Sequence, residues 1–170
     1  MSVNWEAVGA TFLPHVGGYL NGLIVRPQLH KWYKDLKKPS WCPPNAAFPV
    51  AWTTLYTGMG YASYLVWRDG EGFDGDARLP LALYASQLAL NWTWSPIFFH
   101  FHSFKWSTVN ITILWGNVAA CMYFFWKISK PAGLLMVPYL GWLSLAAALN
   151  YRIWVDNPPK ENPEISTKEK

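Results

Sequence analysis

The side chains best placed to do chemistry in this sequence are amides and indoles, not acids, bases or thiols. Gln87, Asn91, Trp92, Trp94, Ser95 and Pro96 form one run. On a helix, Tyr84, Gln87, Asn91, Trp94 and Ser95 share a face. Trp106, Asn110, Ile113, Asn117 and Cys121 make a second stripe at three-to-four spacing, and Tyr139, Trp142, Ala146, Leu149 and Ile153 a third. His15, Gly18, Asn21 and Gly22 add an earlier group. The chemistry these allow is hydrogen bonding through neutral groups and stacking of flat rings. Gln87 and Asn91 suit either interhelical hydrogen bonds or a cavity wall, and Trp94 either packing or a wall for a flat ligand. Gly18 and Gly22 form a GxxxG pair that suits a close helix contact. His15 has no partner at metal-ligand spacing and reads as a packing or interfacial residue rather than an axial ligand.

Acid–base and metal chemistry have no constellation to work with. There is no carboxylate pair at helical spacing within the apolar stretches, no GxSxG, no phosphate loop and no His/Cys cluster. Cys42 and Cys121 make no framework. Asp69, Glu71, Asp74 and Asp76 lack the spacing of a calcium loop and read as solvated. No catalytic residue, cofactor or metal is therefore expected.

The elements that carry these stripes are visible in the charge distribution. Residues 7–25, 46–67, 79–99, 106–126 and 132–151 contain no Asp, Glu, Lys or Arg, so all 14 basic and all 10 acidic residues lie elsewhere. Each stretch is close to the roughly 20 residues that cross a hydrocarbon core. Mean hydropathy is only +0.04 because 12 Trp, 9 Tyr and 13 Pro score poorly. A soluble helix keeps a charged face, and none of these does. A β-barrel would alternate in polarity, whereas residues 134–137 and 145–149 are unbroken apolar runs. The expected fold is an all-α integral membrane protein, a bundle of five transmembrane helices over residues 1–157, followed by a disordered cytosolic tail at 158–170. The first apolar stretch lacks a basic flank of the kind that marks a cleaved signal. Pro96 should bend the third helix near its end.

Loops 26–45 and 100–105 and the segment from 152 onward share one side and hold ten of the 14 basic residues, which puts that side and the C-terminus in the cytosol. Trp5, Trp67, Trp106, Trp126, Tyr151 and Trp154 form the interfacial belt. In the first loop Leu29, Trp32, Tyr33 and Leu36 recur at helical spacing, with Lys31, Lys34, Lys37 and Lys38 mostly on other faces. This predicts a short amphipathic helix, either anchored on anionic lipid or laid as a lid over a cavity. Ala82, Ala85, Ser86 and Ala89 suit close packing within the bundle or between two copies.

Several motifs in order resemble one family. They are Lys38 to Pro44 (KPSWCPP), Trp52 to Tyr56 (WTTLY), Gly60 to Trp67 (GYASYLVW), Leu88 to Trp92 (LALNW), Pro96 to Phe99 (PIFF), Pro138 to Leu140 (PYL) and Leu149 to Tyr151 (LNY). The sequence resembles the translocator protein family (peripheral-type benzodiazepine receptors; TspO/MBR), animal branch, over residues 3–157. The resemblance implies a multi-pass protein of the mitochondrial outer membrane with a cytosolic C-terminus, often dimeric, that binds cholesterol, protoporphyrin or haem, and synthetic benzodiazepine-type drugs. It implies a drug pocket lined by Gly22, Val25, Phe48, Ala51, Trp52, Trp94, Trp106, Val109, Ile113, Leu114, Trp142, Ala146 and Leu149, and a sterol motif at Leu149, Tyr151 and Arg152. Here Arg152 follows Tyr151 directly and Val155 stands where an arginine is expected, so the strict motif fails. Cys42 replaces a frequent histidine and Phe48 a leucine.

The expected function is binding and assisted movement of a sterol or tetrapyrrole, with the bilayer and other mitochondrial outer-membrane proteins as partners and no nucleic acid. One alternative is a scaffold that recruits partners and uses the pocket for regulation. Another is light-dependent porphyrin degradation, with Trp52 and Trp142 at the positions matching bacterial relatives.

Overall fold

A computed structural model describes residues 3–158. Among these residues the chain is all-helical, with five long helices: α1 (Trp5–Lys31), α2 (Ala47–Asp69), α3 (Arg78–Ser95), α4 (Phe104–Ile128) and α5 (Lys130–Asp156). The expected tail, from residue 159 on, lies outside the described residues.

Asn4 starts α1 by accepting a hydrogen bond from the Ala7 amide at 3.0 Å, one of the donors the first turn leaves open. The helix then runs through Pro14 and Pro27 to Lys31. The first loop differs from its sequence reading here. Leu29 is on the last turn of α1, and Tyr33–Asp35 make a single 3₁₀ turn, so no separate amphipathic helix forms. Extending an existing helix adds one backbone hydrogen bond per residue, whereas a new one must pay for nucleation. The helical run stops at Asp35, with Leu36 extended, so it ends before Pro39 and not at it, and the chain returns as irregular structure to α2.

At Pro96, where a bend is expected, α3 ends and the backbone changes its helical form. Proline has no N–H and its ring clashes with the carbonyl four residues back. The backbone widens into a π turn over Pro96–His100, closed by the Phe101 amide on the Pro96 carbonyl at 3.0 Å. His102 then takes a left-handed φ of 50° before α4 begins. Only the extended Ser129 separates α4 from α5. Gly133 permits this tight reversal, because a Cβ there would lie 2.8 Å from the Trp126 Cα.

The helices pack as a ring in the order α1, α2, α5, α4, α3, closed by α3 against α1. Its core holds Met59, Ala62, Val66, Val118, Cys121, Phe125, Met136, Tyr139 and Leu143, all fully buried. A second cluster closes one end, where Tyr33, Phe98, Phe99, Leu149 and Ile153 meet Ile24, Leu29, Trp32 and Leu36. The α1–α2 approach depends on Gly60, where a Cβ would stand 2.6 Å from the Ala10 carbonyl oxygen. Of the Gly18 and Gly22 pair, Gly18 faces the Tyr56 ring at 2.5 Å by the same measure, and Gly22 faces open space.

The outer surface is apolar, unlike that of a water-soluble bundle, and a few amides are buried inside. Gln87, Asn91 and Asn150 are buried, while Phe12, Tyr19, Leu20, Val50, Leu134 and Val137 are exposed. Soluble monomers rarely expose contiguous apolar surface on such a scale. By length and hydropathy together, α4 and α5 qualify as membrane-crossing helices. The other three are long, but Trp, Tyr, Gly, Pro and Asn dilute their mean hydropathy.

Candidate functional site

Amides and phenols occupy the middle of the bundle. The Tyr56 hydroxyl donates to Asn91 Oδ1 at 2.7 Å, Asn91 Nδ2 donates to the Tyr139 hydroxyl at 3.0 Å, and that hydroxyl donates to Gln87 Oε1 at 2.9 Å. This chain ties α2, α3 and α5. Of the two uses open to Gln87 and Asn91, the geometry selects interhelical hydrogen bonding. Such bonds contribute roughly 0.6–2 kcal/mol each inside a membrane protein. The chain also fills the centre, so room for a guest lies elsewhere.

Aromatic rings crowd the end covered by the first loop. Trp94 stacks on Phe98 with centroids 5.0 Å apart and donates its indole N–H to Asn150 Oδ1 at 3.1 Å. Asn150 in turn donates to Thr108 on α4 and so fixes that indole. Phe48 meets Trp142 edge-on at 5.7 Å, and Trp52 lies 5.3 Å from Tyr56 and 6.2 Å from Tyr139. Trp142 Nε1 is buried with no hydrogen-bond partner among the described residues.

The first loop closes over this end. Trp32 stacks on His102 at 4.0 Å and on Phe104 at 5.6 Å, and Tyr33 packs against Phe98 and Phe99. Burial, and secondarily the neighbouring Cys42, push the Tyr33 phenol well above its ordinary pKa, so it stays protonated. Asn157 locks the loop from the end of α5. Its Oδ1 accepts from the Lys37 amide and its Nδ2 donates to the Lys37 carbonyl, both at 2.9 Å. Lys38 turns back to donate to the Tyr33 carbonyl at 2.6 Å and the Leu36 carbonyl at 3.0 Å, which caps the 3₁₀ turn. Of the two uses open to the loop, this geometry matches the lid.

The residues named from the sequence fall into three places. Val25, Phe48, Trp94 and Leu149 gather under the lid. Trp52, Trp142 and Ala146 pack on the main core below, and Ala51 and Trp142 open sideways onto a groove of about 370 Å³ shared with Thr54, Leu55, Pro138, Gly141 and Leu145. Trp106, Val109 and Ile113 point outward from α4, at 62%, 39% and 55% exposure, into a second groove of about 460 Å³ against α3. Leu114 is core, and the half-buried Gly22 has space in front of it.

The three residues of the sterol motif do not share a face. Leu149 is buried, Tyr151 is exposed, and Arg152 is exposed and paired with Asp156 at 2.9 Å. Leu149 and Tyr151, two residues apart, lie about 200° apart around the helix, which puts them on opposite sides. His15 Nε2 lies 3.1 Å from Thr57 Oγ1 and serves the α1–α2 contact.

Sequence reasoning missed Asn150, Asn157, Phe98 and His102. Asn150 was detectable as an amide in an otherwise apolar stretch. Asn157 carried no signal, because its partner is 120 positions away.

The TspO/MBR family model matches residues 10–155. A translocator protein of Bos taurus is 45% identical over 158 residues, covering 92% of this chain and 94% of the relative. The translocator protein of Homo sapiens is 42% identical over 158 residues with the same coverage. Protein CrtK of Rhodobacter capsulatus is 43% identical over 128 residues, covering 75% of this chain and 79% of the relative.

Proposed function

The chain belongs to the TspO/MBR family, a family of membrane proteins, and from that premise we propose that it is a five-span receptor and carrier for a large, mostly apolar ligand of the sterol or tetrapyrrole kind. In this reading all five helices cross the mitochondrial outer membrane, with the lidded end and the C-terminus in the cytosol. The ligand lies beneath the lidded end, entering from the α2–α5 groove between Ala51 and Trp142 and resting where Phe48 of the lid cluster meets Trp52 and Trp142 of the main core. Cholesterol, protoporphyrin or haem, and benzodiazepine-type drugs fit that chemistry. A homodimer and other outer-membrane proteins are the expected assemblies.

One observation carries the reading: a buried indole N–H stands unpartnered on Trp142, the one aromatic residue lining an uncharged, mostly aliphatic groove. A buried donor without an acceptor costs roughly 1–3 kcal/mol. A ligand carbonyl or carboxyl oxygen that accepts from it recovers this energy only when bound. The groove volume lies within the roughly 300–1,000 Å³ of small-molecule sites, which are mainly apolar with a few polar groups that orient the guest. The lining residues contain no general acid, general base or charge, which supports binding over catalysis and over ion conduction.

Ligand quenching of tryptophan fluorescence tests the reading in purified protein. Trp142→Leu should weaken protoporphyrin binding about tenfold or more, and Trp94→Leu less, since that N–H is already committed to Asn150. Unchanged affinity in Trp142→Leu would reject the site. Turnover of protoporphyrin in light, with more than one product molecule formed per protein, would favour the enzymatic alternative.

A further inference from the structure

We propose that the outward groove between α3 and α4 is a second binding site, for an uncharged lipid that places one hydroxyl donor on Asn110. The groove, about 460 Å³, is walled by Leu90, Ile97, Phe101, Trp106, Val109 and Ile113, with Ser103 and Asn110 as its polar members. Asn110 is only 9% exposed. Its Nδ2 donates to Thr93 Oγ1 on α3 at 3.3 Å, and its Oδ1 is buried with no partner among the described residues. The site is therefore a mainly apolar trough with one unsatisfied, buried acceptor on a residue that lines it.

The surroundings decide what can fill it. The groove opens on the outer surface of the ring, and in hydrocarbon no water reaches a buried acceptor, so the donor must arrive with a membrane component. Asn110 lies six residues into α4 from Phe104, about 9 Å along the axis. A lipid whose head is a charged phosphate would have to drag that charge to the same depth, which hydrocarbon strongly disfavours. A neutral hydroxyl loses far less on leaving water, and here it regains a hydrogen bond. Lys105 stands at the rim, its ammonium 6.0 Å from the Trp106 ring centroid, and is not part of the lining. A second copy of the chain is the rival occupant. A helix is about 10 Å across and would ride on Trp106 and Phe101 without reaching the recessed Oδ1. A single-chain lipid with a small hydroxyl head is slender enough to enter the groove beside Asn110. This site is separate from the lidded end and does not depend on that reading.

The test uses the full chain in nanodiscs with two photoreactive lipids of equal chain length, a diazirine monoacylglycerol and the corresponding diazirine fatty-acid methyl ester. The monoacylglycerol should label the tryptic peptide 106–127 about tenfold more than the ester, the factor that one buried hydrogen bond supplies. Asn110→Leu should reduce its labelling to the ester's level, and Thr93→Val, which leaves Oδ1 in place, should not. Ile113→Trp fills the mouth from an exposed position and should reduce labelling without touching the core, which keeps the test decisive should Asn110→Leu fail to fold. Equal labelling by the two lipids, or labelling unchanged in both Asn110→Leu and Ile113→Trp, would overturn the proposal. Copy-to-copy crosslinks through this face in place of lipid labelling would assign the groove to a dimer.

Discussion

Gly60→Ala is the sharpest perturbation of the bundle, because the obstruction is backbone on a neighbouring helix. A Cβ at position 60 would stand 2.6 Å from the Ala10 carbonyl oxygen, 2.7 Å from the Thr11 Cα and 2.8 Å from the Thr11 carbonyl oxygen. Ordinary carbon contacts begin near 3.5 Å, so α1 must retreat by most of an ångström. No flexible side chain is available to absorb the clash. Overpacking of this kind costs about 1–3 kcal/mol, even though alanine is the better helix former. For a domain of this size each kcal/mol lowers Tm by about 2–4 °C, so the expected fall is about 2–12 °C. Gly22→Ala, also on the α1 side of the bundle, meets nothing within 4 Å and should leave Tm unchanged or slightly raised. Intrinsic tryptophan fluorescence during heating of both variants in the same nanodiscs reads the contrast. Equal melting of the two, or a stabilised Gly60→Ala, would refute the inference that backbone proximity sets the α1–α2 packing.

Tyr139→Phe removes the donor to Gln87 and the acceptor for Asn91 while keeping the ring, and should destabilise the bundle by about 1–3 kcal/mol, measured by denaturant titration of purified protein. Asn157→Ala breaks both bonds to Lys37 and should speed ligand release about tenfold with a smaller change in association rate, measured by stopped-flow fluorescence. Unaltered release would show that the loop is not a lid.

The five helices were legible because their cause is local. An uncharged stretch of about 20 residues allows little except a helix in lipid, and Pro96 lacks its N–H whatever surrounds it. The aromatic character of the helix stripes was equally legible from composition and spacing. Direction was not. Helical periodicity places Trp106, Asn110 and Ile113 on one stripe, but whether that stripe meets the bundle interior or the lipid depends on the ring order α1, α2, α5, α4, α3, which comes from long-range packing. The same order turned Gln87 and Asn91 into interhelical ties, made Gly60 the close contact in place of Gly22, and paired Asn157 with Lys37 across 120 residues. Backbone hydrogen bonds are satisfied within each helix, so the sequence alone determined the elements. Side-chain hydrogen bonds and close contacts are satisfied between helices, so only the assembled bundle decided which surfaces are core, lid and groove.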